Sequence, residues 1–597
     1  MNFKKYLVLL FIFILLSFAL YGNSINGDFV HDDFFFANRL ELKNPNYVFQ
    51  IWNEPYLPHN NSAGLFRPLT LFSFILNFVL FGSSTKSFHI TNIVLNGLIS
   101  FLVFLVCYKL FKRLSLSLFI ALLFAFLPIH SEAISSIKGR EELLSAFFGL
   151  LSWLFFIKIT ENSKIIKYFQ IILSAFLYLL AVLTKELILF LPAIFLVDLF
   201  FKKSKSKTML IKIASIYAVT LVLYFFWRYT VLGEYAFGKD NLYFAVNPLA
   251  YTDFWTRFLT AFKIAFIYIG KTYIPWNLSA SYHYNQLPLV TNLFTSWQAI
   301  FGFTLLLLLV FVAFSIRWRN SPIQIGSLTF IITFFIFSKF LFKGGDLLAE
   351  RWMYFPSIGL SIIGGFLFDK LFKKNKLLGS VIFTSVLMTY SWILIPRNLV
   401  WRSSESLYKS MIKSAPKSVM GHWGLADYYF GKNQMSQAKK EAEIAYSIDK
   451  DYPPLLNIVG QIAYKEGNYK LAKAAFYRAT IVAPTIGEGF RNAAMVYYRL
   501  GEYENAKRAL KRLVYKKSKS RDSDIIDYAL VLAKLGKHKE SLSVIISNFG
   551  QEPIHSKARL VLAINYFKTG NIKEAQKFFD WNNNLLEKEK LKLLDEF

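Results

Sequence analysis

The chain has 597 residues, 55% of them hydrophobic, with 63 phenylalanines and a formal net charge of +30. This composition excludes an ordinary soluble protein, because the apolar excess is gathered into long runs before about residue 396 that a bilayer solvates directly. The single cysteine, Cys107, excludes an intrachain disulfide and a cysteine metal cluster. With no aromatic-basic module in view, the positive charge points to cytoplasmic membrane loops, and no nucleic-acid partner is expected.

The N-terminal MNFKK and the apolar run from Tyr6 to Leu20 read as a retained first membrane helix rather than a cleaved signal peptide, since many spans follow. Candidate spans are 6–22, 90–109, 115–129, 143–158, 168–184, 187–201, 211–228, 298–316, 323–342, 353–370 and 378–396. Starting inside at Lys4 and Lys5, the alternate connections are Lys109–Arg113, Lys158–Lys167, Lys202–Lys212, Arg317–Arg319 and Lys370–Lys376. All are basic, as the positive-inside rule requires of cytoplasmic loops. Eleven spans then place the C-terminal part outside. Two further apolar stretches, 68–81 and 258–274, read as interfacial or re-entrant helices on the outer side.

After Trp401 the chain becomes charged and rich in Ala, Tyr and Lys, with a period of about 34 residues. Ala438, Ala472 and Ala506 keep that spacing and, after one residue of slippage, Ser541 and Ala575 continue it. Five residues before each stands a turn residue: Asn433, Gly467, Gly501, Gly536 or Gly570. Small residues permit close packing of two helices, and the glycine or asparagine supplies the turn between them. This is the tetratricopeptide pattern in five copies. Trp401–Pro416 reads as a half repeat that docks the solenoid on the membrane part without a flexible linker. The expected fold is therefore all-α, with a polytopic membrane domain over 1–396 and a tetratricopeptide α-solenoid over 397–597.

Charged residues recur where chain meets membrane on the expected outer side. The first such loop holds His31-Asp32-Asp33. Adjacent carboxylates raise the pKa of one of them, which suits a general base for a hydroxyl, although a solvated turn or helix cap uses such a pair equally well. The next connection carries His130 and Glu132 at one span's exit and Lys138, Arg140, Glu141 and Glu142 at the next span's entrance. There an interfacial loop with a snorkelling arginine is the simpler reading. Lys185-Glu186 joins two apolar runs almost without a loop, as an internal ion pair or as part of a cavity. Glu350-Arg351 follows Gly344-Gly345-Asp346, and Arg67-Pro68 adds another cation. The convergence of these loops, more than any one of them, argues for a site.

Taken in order, FVHDD, RPLT at 67–70, FHITN at 88–92, PIHSEAISSIKGREELL at 128–144, TKE at 184–186, NLSASYH at 277–283, AERWMYFPSIG at 349–359 and WRSSESLY at 401–408, followed by repeats, resemble one family. It is that of the transmembrane and tetratricopeptide repeat-containing O-mannosyltransferases, TMTC, a branch of the GT-C glycosyltransferases. The resemblance implies transfer of a mannose-like sugar from a polyprenyl-phosphate donor to a hydroxyl on the exported side. The acceptor would be an exported protein recruited by the repeats. It implies that an aspartate of the first exported loop is the base, matching Asp32 or Asp33, and that His130, Glu132 and Arg140 match its HSE…GR segment. Lys185 and Glu186 match its KE pair, and Glu350 and Arg351 its ER pair. The catalytic set expected is thus Asp32, Asp33, His130 and Glu132. Arg140, Lys185, Arg351 and Arg67 are expected to hold the donor phosphate, supported by Glu186 and Glu350. A divalent cation is compatible with the paired carboxylates, but the base role requires none, and no metal ligand is assigned. Trp352-Met353 departs from the family's aliphatic pair. The lysine- and phenylalanine-rich composition points to a bacterial member in the inner membrane, with the repeats periplasmic. The same chemistry on a lipid or cell-surface glycan, or a non-enzymatic repeat scaffold, are the other readings.

Overall fold

The computed structural model describes residues 2–57, 64–158, 164–201, 207–238, 243–283, 286–341, 343–515 and 521–580. Among them the protein is all-α: no strand occurs, only an isolated bridge between Tyr282 and Leu348. The chain forms two compact units, the first ending at Gly421 and the second starting at His422.

In the first unit the helices begin where capping chemistry permits. Asn2 accepts from the Lys5 amide at 3.2 Å, Asn375 accepts from Leu378 at 3.0 Å, and Pro68 and Pro322 each open a helix. Apolar side chains alone do not orient helices in lipid, so close contacts and interhelical hydrogen bonds do. Gly97 of helix Thr85–Phe111 lies where a Cβ would collide with the backbone of Ile14, in helix Phe3–Tyr21. Ser17 donates to the Ile93 carbonyl at 2.7 Å, Asn96 donates to Ser17 at 2.9 Å, and Tyr354 donates to Asn96 at 2.7 Å. Three helices are tied by Ser152, Ser174 and Tyr217, with Ser174 Oγ 2.7 Å from the Tyr217 hydroxyl.

Among the described residues five helices are long and apolar enough to cross a membrane: Phe3–Ser24, Thr85–Phe111, Thr208–Tyr235, Trp297–Phe314 and Lys376–Arg402. A sixth would be the pair Leu114–Phe126 and Pro128–Ser135, bent by 50°. Length and composition thus single out fewer helices than the eleven spans expected. The difference lies partly in short segments, the stretch 187–201 forming a 3₁₀ turn, Glu186–Ile188, and an 11-residue helix, Leu191–Phe201, and partly in charge, since the 19-residue helix Arg140–Lys158 and the 18-residue helix Ser357–Lys374 carry charged residues near their ends. The two stretches expected at the interface form helices Pro68–Phe81 and Phe254–Tyr273.

The second unit is the solenoid. Among the described residues five helix pairs follow one another: Val419–Gly431 with Met435–Ile448, Pro453–Lys465 with Tyr469–Val482, Gly487–Arg499 with Tyr503–Val514, Asp522–Lys534 with His538–Phe549, and Ser556–Lys568 with Ile572–Asp580. Ala438, Ala472, Ala506, Ser541 and Ala575 are all buried. Asn433 and Gly467, Gly501, Gly536 and Gly570 all have left-handed φ, between 59° and 82°. That conformation ends one helix and starts the next.

Candidate functional site

The chain leaves its first helix at Tyr21, passes through a 3₁₀ turn, Gly22–Ser24, is extended at Val30, and turns at His31, whose φ is +49°. A 3₁₀ turn, His31–Asp33, follows and sends the two carboxylates in different directions. Asp33 turns inward and is fully buried. It accepts from the amides of Val30 at 3.1 Å and Lys138 at 2.7 Å, and from the Ser136 hydroxyl at 3.3 Å. It therefore ties the first polar loop to the connection around Lys138. Burial outweighs these bonds and pushes the Asp33 carboxyl up to about 6. Asp32 faces outward, with its side chain 26% exposed, and pairs with the Lys138 ammonium and, at 3.5 Å, with His31. Burial acts to raise its pKa, but Lys138, His31 and Arg351 outweigh burial and hold it well below the usual carboxylate range.

Arg351 belongs to the same neighbourhood. Its amide donates to Glu132 at 3.0 Å, its Nη1 to the other Glu132 oxygen, and its Nη2 to Asp346 at 2.8 Å. From there an ion network runs inward. Glu142 lies 3.8 Å from Arg351 and pairs with Lys185, which also donates to Glu141 at 2.6 Å. Glu141 accepts from Arg67 at 2.7 Å, Arg67 also holds Glu186 at 2.9 Å, and Glu186 accepts from Arg228 at 2.8 Å. The tertiary structure thus brings Asp32, Glu132, Arg351, Lys185, Arg67 and Glu186, from distant stretches of sequence, into one polar cluster.

Three other residues singled out in sequence lie apart from that cluster. His130 is buried between the rings of Phe124 and Tyr354, each 4.6 Å away, with Nε2 2.8 Å from the Ser357 hydroxyl. Arg140 is buried between Phe74 and Phe88 and donates to Asn92 at 3.0 Å and to the Phe88 carbonyl at 2.9 Å. Its third nitrogen, Nη1, donates to the Ser73 carbonyl at 3.4 Å, so each nitrogen has a partner and both faces carry a ring, and in this geometry it clamps two helices. Glu350 faces away from its neighbour Arg351. It accepts from Tyr282 at 2.6 Å, from the Ser279 amide at 2.7 Å and from Arg397 at 3.0 Å. Beside it a cavity of about 430 Å³ is lined by Asn277, Ser279, Tyr282, Gln286, Ser414 and Lys417, among others.

Lys138, Glu141, Glu142, Asp346, Arg228 and His283 join the site although sequence reasoning assigned them no role in it. Glu141 and Glu142 had a legible signal, two acids opening an apolar helix. Arg228 had none, and His283 gains its place only by meeting Asp346 at 3.7 Å. Among the described residues no group of three or more His, Cys, Asp or Glu side chains is arranged to hold a metal ion.

Fold and site together define a helical membrane protein with a charged cluster at the helix ends and a tetratricopeptide solenoid. A Tetratricopeptide repeat family model matches residues 492–515. The chain is similar to Protein O-mannosyl-transferase TMTC4 of Mus musculus, 29% identical over 492 residues that cover 72% of this chain and 64% of that protein. It is similar to the Homo sapiens TMTC4 at 29% identity, covering 71% of this chain and 64% of that one. Protein O-mannosyl-transferase F38B6.6 of Caenorhabditis elegans is 27% identical, with 74% of this chain and 63% of that protein covered. The chain thus spans somewhat less than two thirds of the length of these curated relatives. Among solved structures, the tetratricopeptide repeat protein YrrB aligns with 29% of this chain and 89% of its own at 21% identity and a TM-score of 0.27.

Proposed function

We propose that this protein is a membrane glycosyltransferase that moves a sugar, mannose by the names of its relatives, from a polyprenyl phosphate to a hydroxyl of an exported protein. One observation carries the reading: Asp32 stands at the open edge of the ion network beside Arg351, whose side chain is 19% exposed. A base for a hydroxyl and a fork for a phosphate are what this transfer needs. In the step proposed, the acceptor hydroxyl gives its proton to Asp32 as its oxygen bonds to the sugar's anomeric carbon. The bond from that carbon to the phosphate oxygen breaks with its electron pair, and Arg351 stabilises the departing polyprenyl phosphate. Glu132 and Asp346 orient Arg351, while Arg67, Lys185 and Glu186 build the floor beneath it. Asp33 and Arg140 act by holding loops and helices in place, and His130 and Glu350 support the same frame from outside the cluster.

On this reading the membrane domain over 1–396 carries the chemistry and the solenoid over 397–597 recruits the acceptor, both facing outward. The single-residue test is Asp32→Asn. An amide cannot take the proton, so transfer should fall by about 10²–10⁴ while the protein still inserts and folds. Near-normal transfer by the folded Asp32→Asn protein would remove the base assignment.

A further inference from the structure

The cations near Asp32 differ in how completely their donors are engaged. Arg351 is shared among Glu132, Asp346 and Glu142. Arg67 is divided between Glu141 and Glu186, and Lys185 between Glu141 and Glu142. Lys138 is different. Its ammonium group has three donors, and Asp32 is its one hydrogen-bonded side-chain partner among the described residues. Its side chain is 20% exposed, so the pair lies where the network meets open space. Its amide is anchored on Asp33 at 2.7 Å. The backbone is thus held, and the ammonium is carried on a four-carbon stem with several rotatable bonds.

We propose that Lys138 is a shared cation, which holds Asp32 in an ion pair until the donor phosphate takes the ammonium over and so releases Asp32 to act as base. The proposal rests on the reading of the protein as a lipid-phosphate-dependent transferase. An incoming phosphate competes with one directly paired carboxylate for Lys138, Glu141 and Asp346 acting on the ammonium only from farther off, but with two or three directly paired carboxylates for Arg351, Arg67 or Lys185. A carboxylate paired with an ammonium is a poor proton acceptor, and its basicity returns when the partner leaves. The other groups facing Asp32 do not reproduce this effect. His31 is held from its far nitrogen by the Tyr408 hydroxyl at 3.2 Å, Arg351 stays bound to Glu132 and Asp346, and Asp33 points inward. Donor binding would therefore switch the base on, and in the empty enzyme the base would rest in its paired state.

The test is binding of undecaprenyl phosphate to the full-length protein in detergent, measured for wild type, Asp32→Asn, Lys138→Met, the double variant and Lys138→Arg. Lys138→Met should weaken binding about tenfold, and Asp32→Asn, which frees the ammonium, should strengthen it severalfold. In the Lys138→Met background the gain from Asp32→Asn should vanish. In the Lys138→Arg background it should persist, which controls for misfolding of the methionine variant. Because bound phosphate would raise the proton affinity of Asp32, wild-type affinity should rise as pH falls, and Asp32→Asn should lose that dependence. If the gain from Asp32→Asn survives undiminished in Lys138→Met, Asp32 acts on the anion by repulsion alone and the exchange is wrong. Equal binding by wild type and Lys138→Met overturns the exchange and leaves the donor reading intact. No binding by wild type removes the donor reading, and the exchange with it.

Discussion

In the membrane unit Lys185 meets Glu141 with side chains 4% and 2% exposed, whereas in the solenoid Arg478 meets Asp451 with side chains 51% and 49% exposed. Both are 2.6–2.8 Å ion pairs between a basic and a carboxylate side chain. Their surroundings make them different objects. Water screens the solenoid pair and would solvate either partner left alone. The pair in the membrane unit has already lost its water, and its charges are tolerable only because each is balanced by the next. A network of that kind is a poor source of stability and a good way to hold charges in fixed positions. The solenoid draws its order from close packing of small residues instead.

The largest effect should come from breaking the buried network. Lys185→Met leaves Glu142 with only the Arg351 guanidinium, 3.8 Å away, and should cost about 3–5 kcal/mol. Thermal unfolding in detergent measures it, and an unchanged midpoint would mean that the buried pairs behave like surface ones. The Asp33 carboxyl offers a second probe of burial. Its folded pKa of about 6 lies above the ordinary carboxylate value of 3.8, so the folded state holds the proton more tightly. Its contribution is present below the ordinary value and is lost as pH rises through about 6, by up to about 3 kcal/mol. Asp33→Asn should flatten that slope, although it also loses an acceptor for one of two backbone amides. A slope unchanged in the variant would assign the pH dependence to another group.

Within the solenoid, packing should matter more than charge. Gly460 lies against the buried Phe476, and a Cβ there would overlap the ring. Gly460→Ala should destabilise the repeat by about 1–3 kcal/mol, read as faster hydrogen exchange across Pro453–Val482. The smallest effect expected is from Arg478→Ala. It removes an exposed, solvent-screened pair and should leave the unfolding midpoint close to that of wild type, with still less difference at high salt. A loss there as large as that of Lys185→Met would erase the contrast between the two regions.

How much of this was legible in advance varies by element. The five repeats were, because a left-handed turn residue followed five positions later by a small buried residue is a local requirement that recurs unchanged. The polar cluster was legible as a set of charged helix ends, but its membership was not. Glu350 and Arg351 read as one pair, yet neighbours on a 3₁₀ turn project about 120° apart, and they serve different networks. Asp32 and Asp33 divide in the same way. Arg140 was expected, with Arg351, to hold the donor phosphate, but its place between Phe74 and Phe88 depends on two helices that come together only in the folded protein.

The sequence by itself determined the all-α class, the apolar runs, the solenoid and the loops where charge would gather, because these follow from composition and short periodicities. The tertiary structure alone decided which charges neutralise one another, which carboxylate is buried and which faces outward, and that Lys138 is directly paired with Asp32 alone among the described carboxylates. Those outcomes depend on desolvation and on distances of a few ångströms between residues far apart in the chain, and no local pattern encodes either.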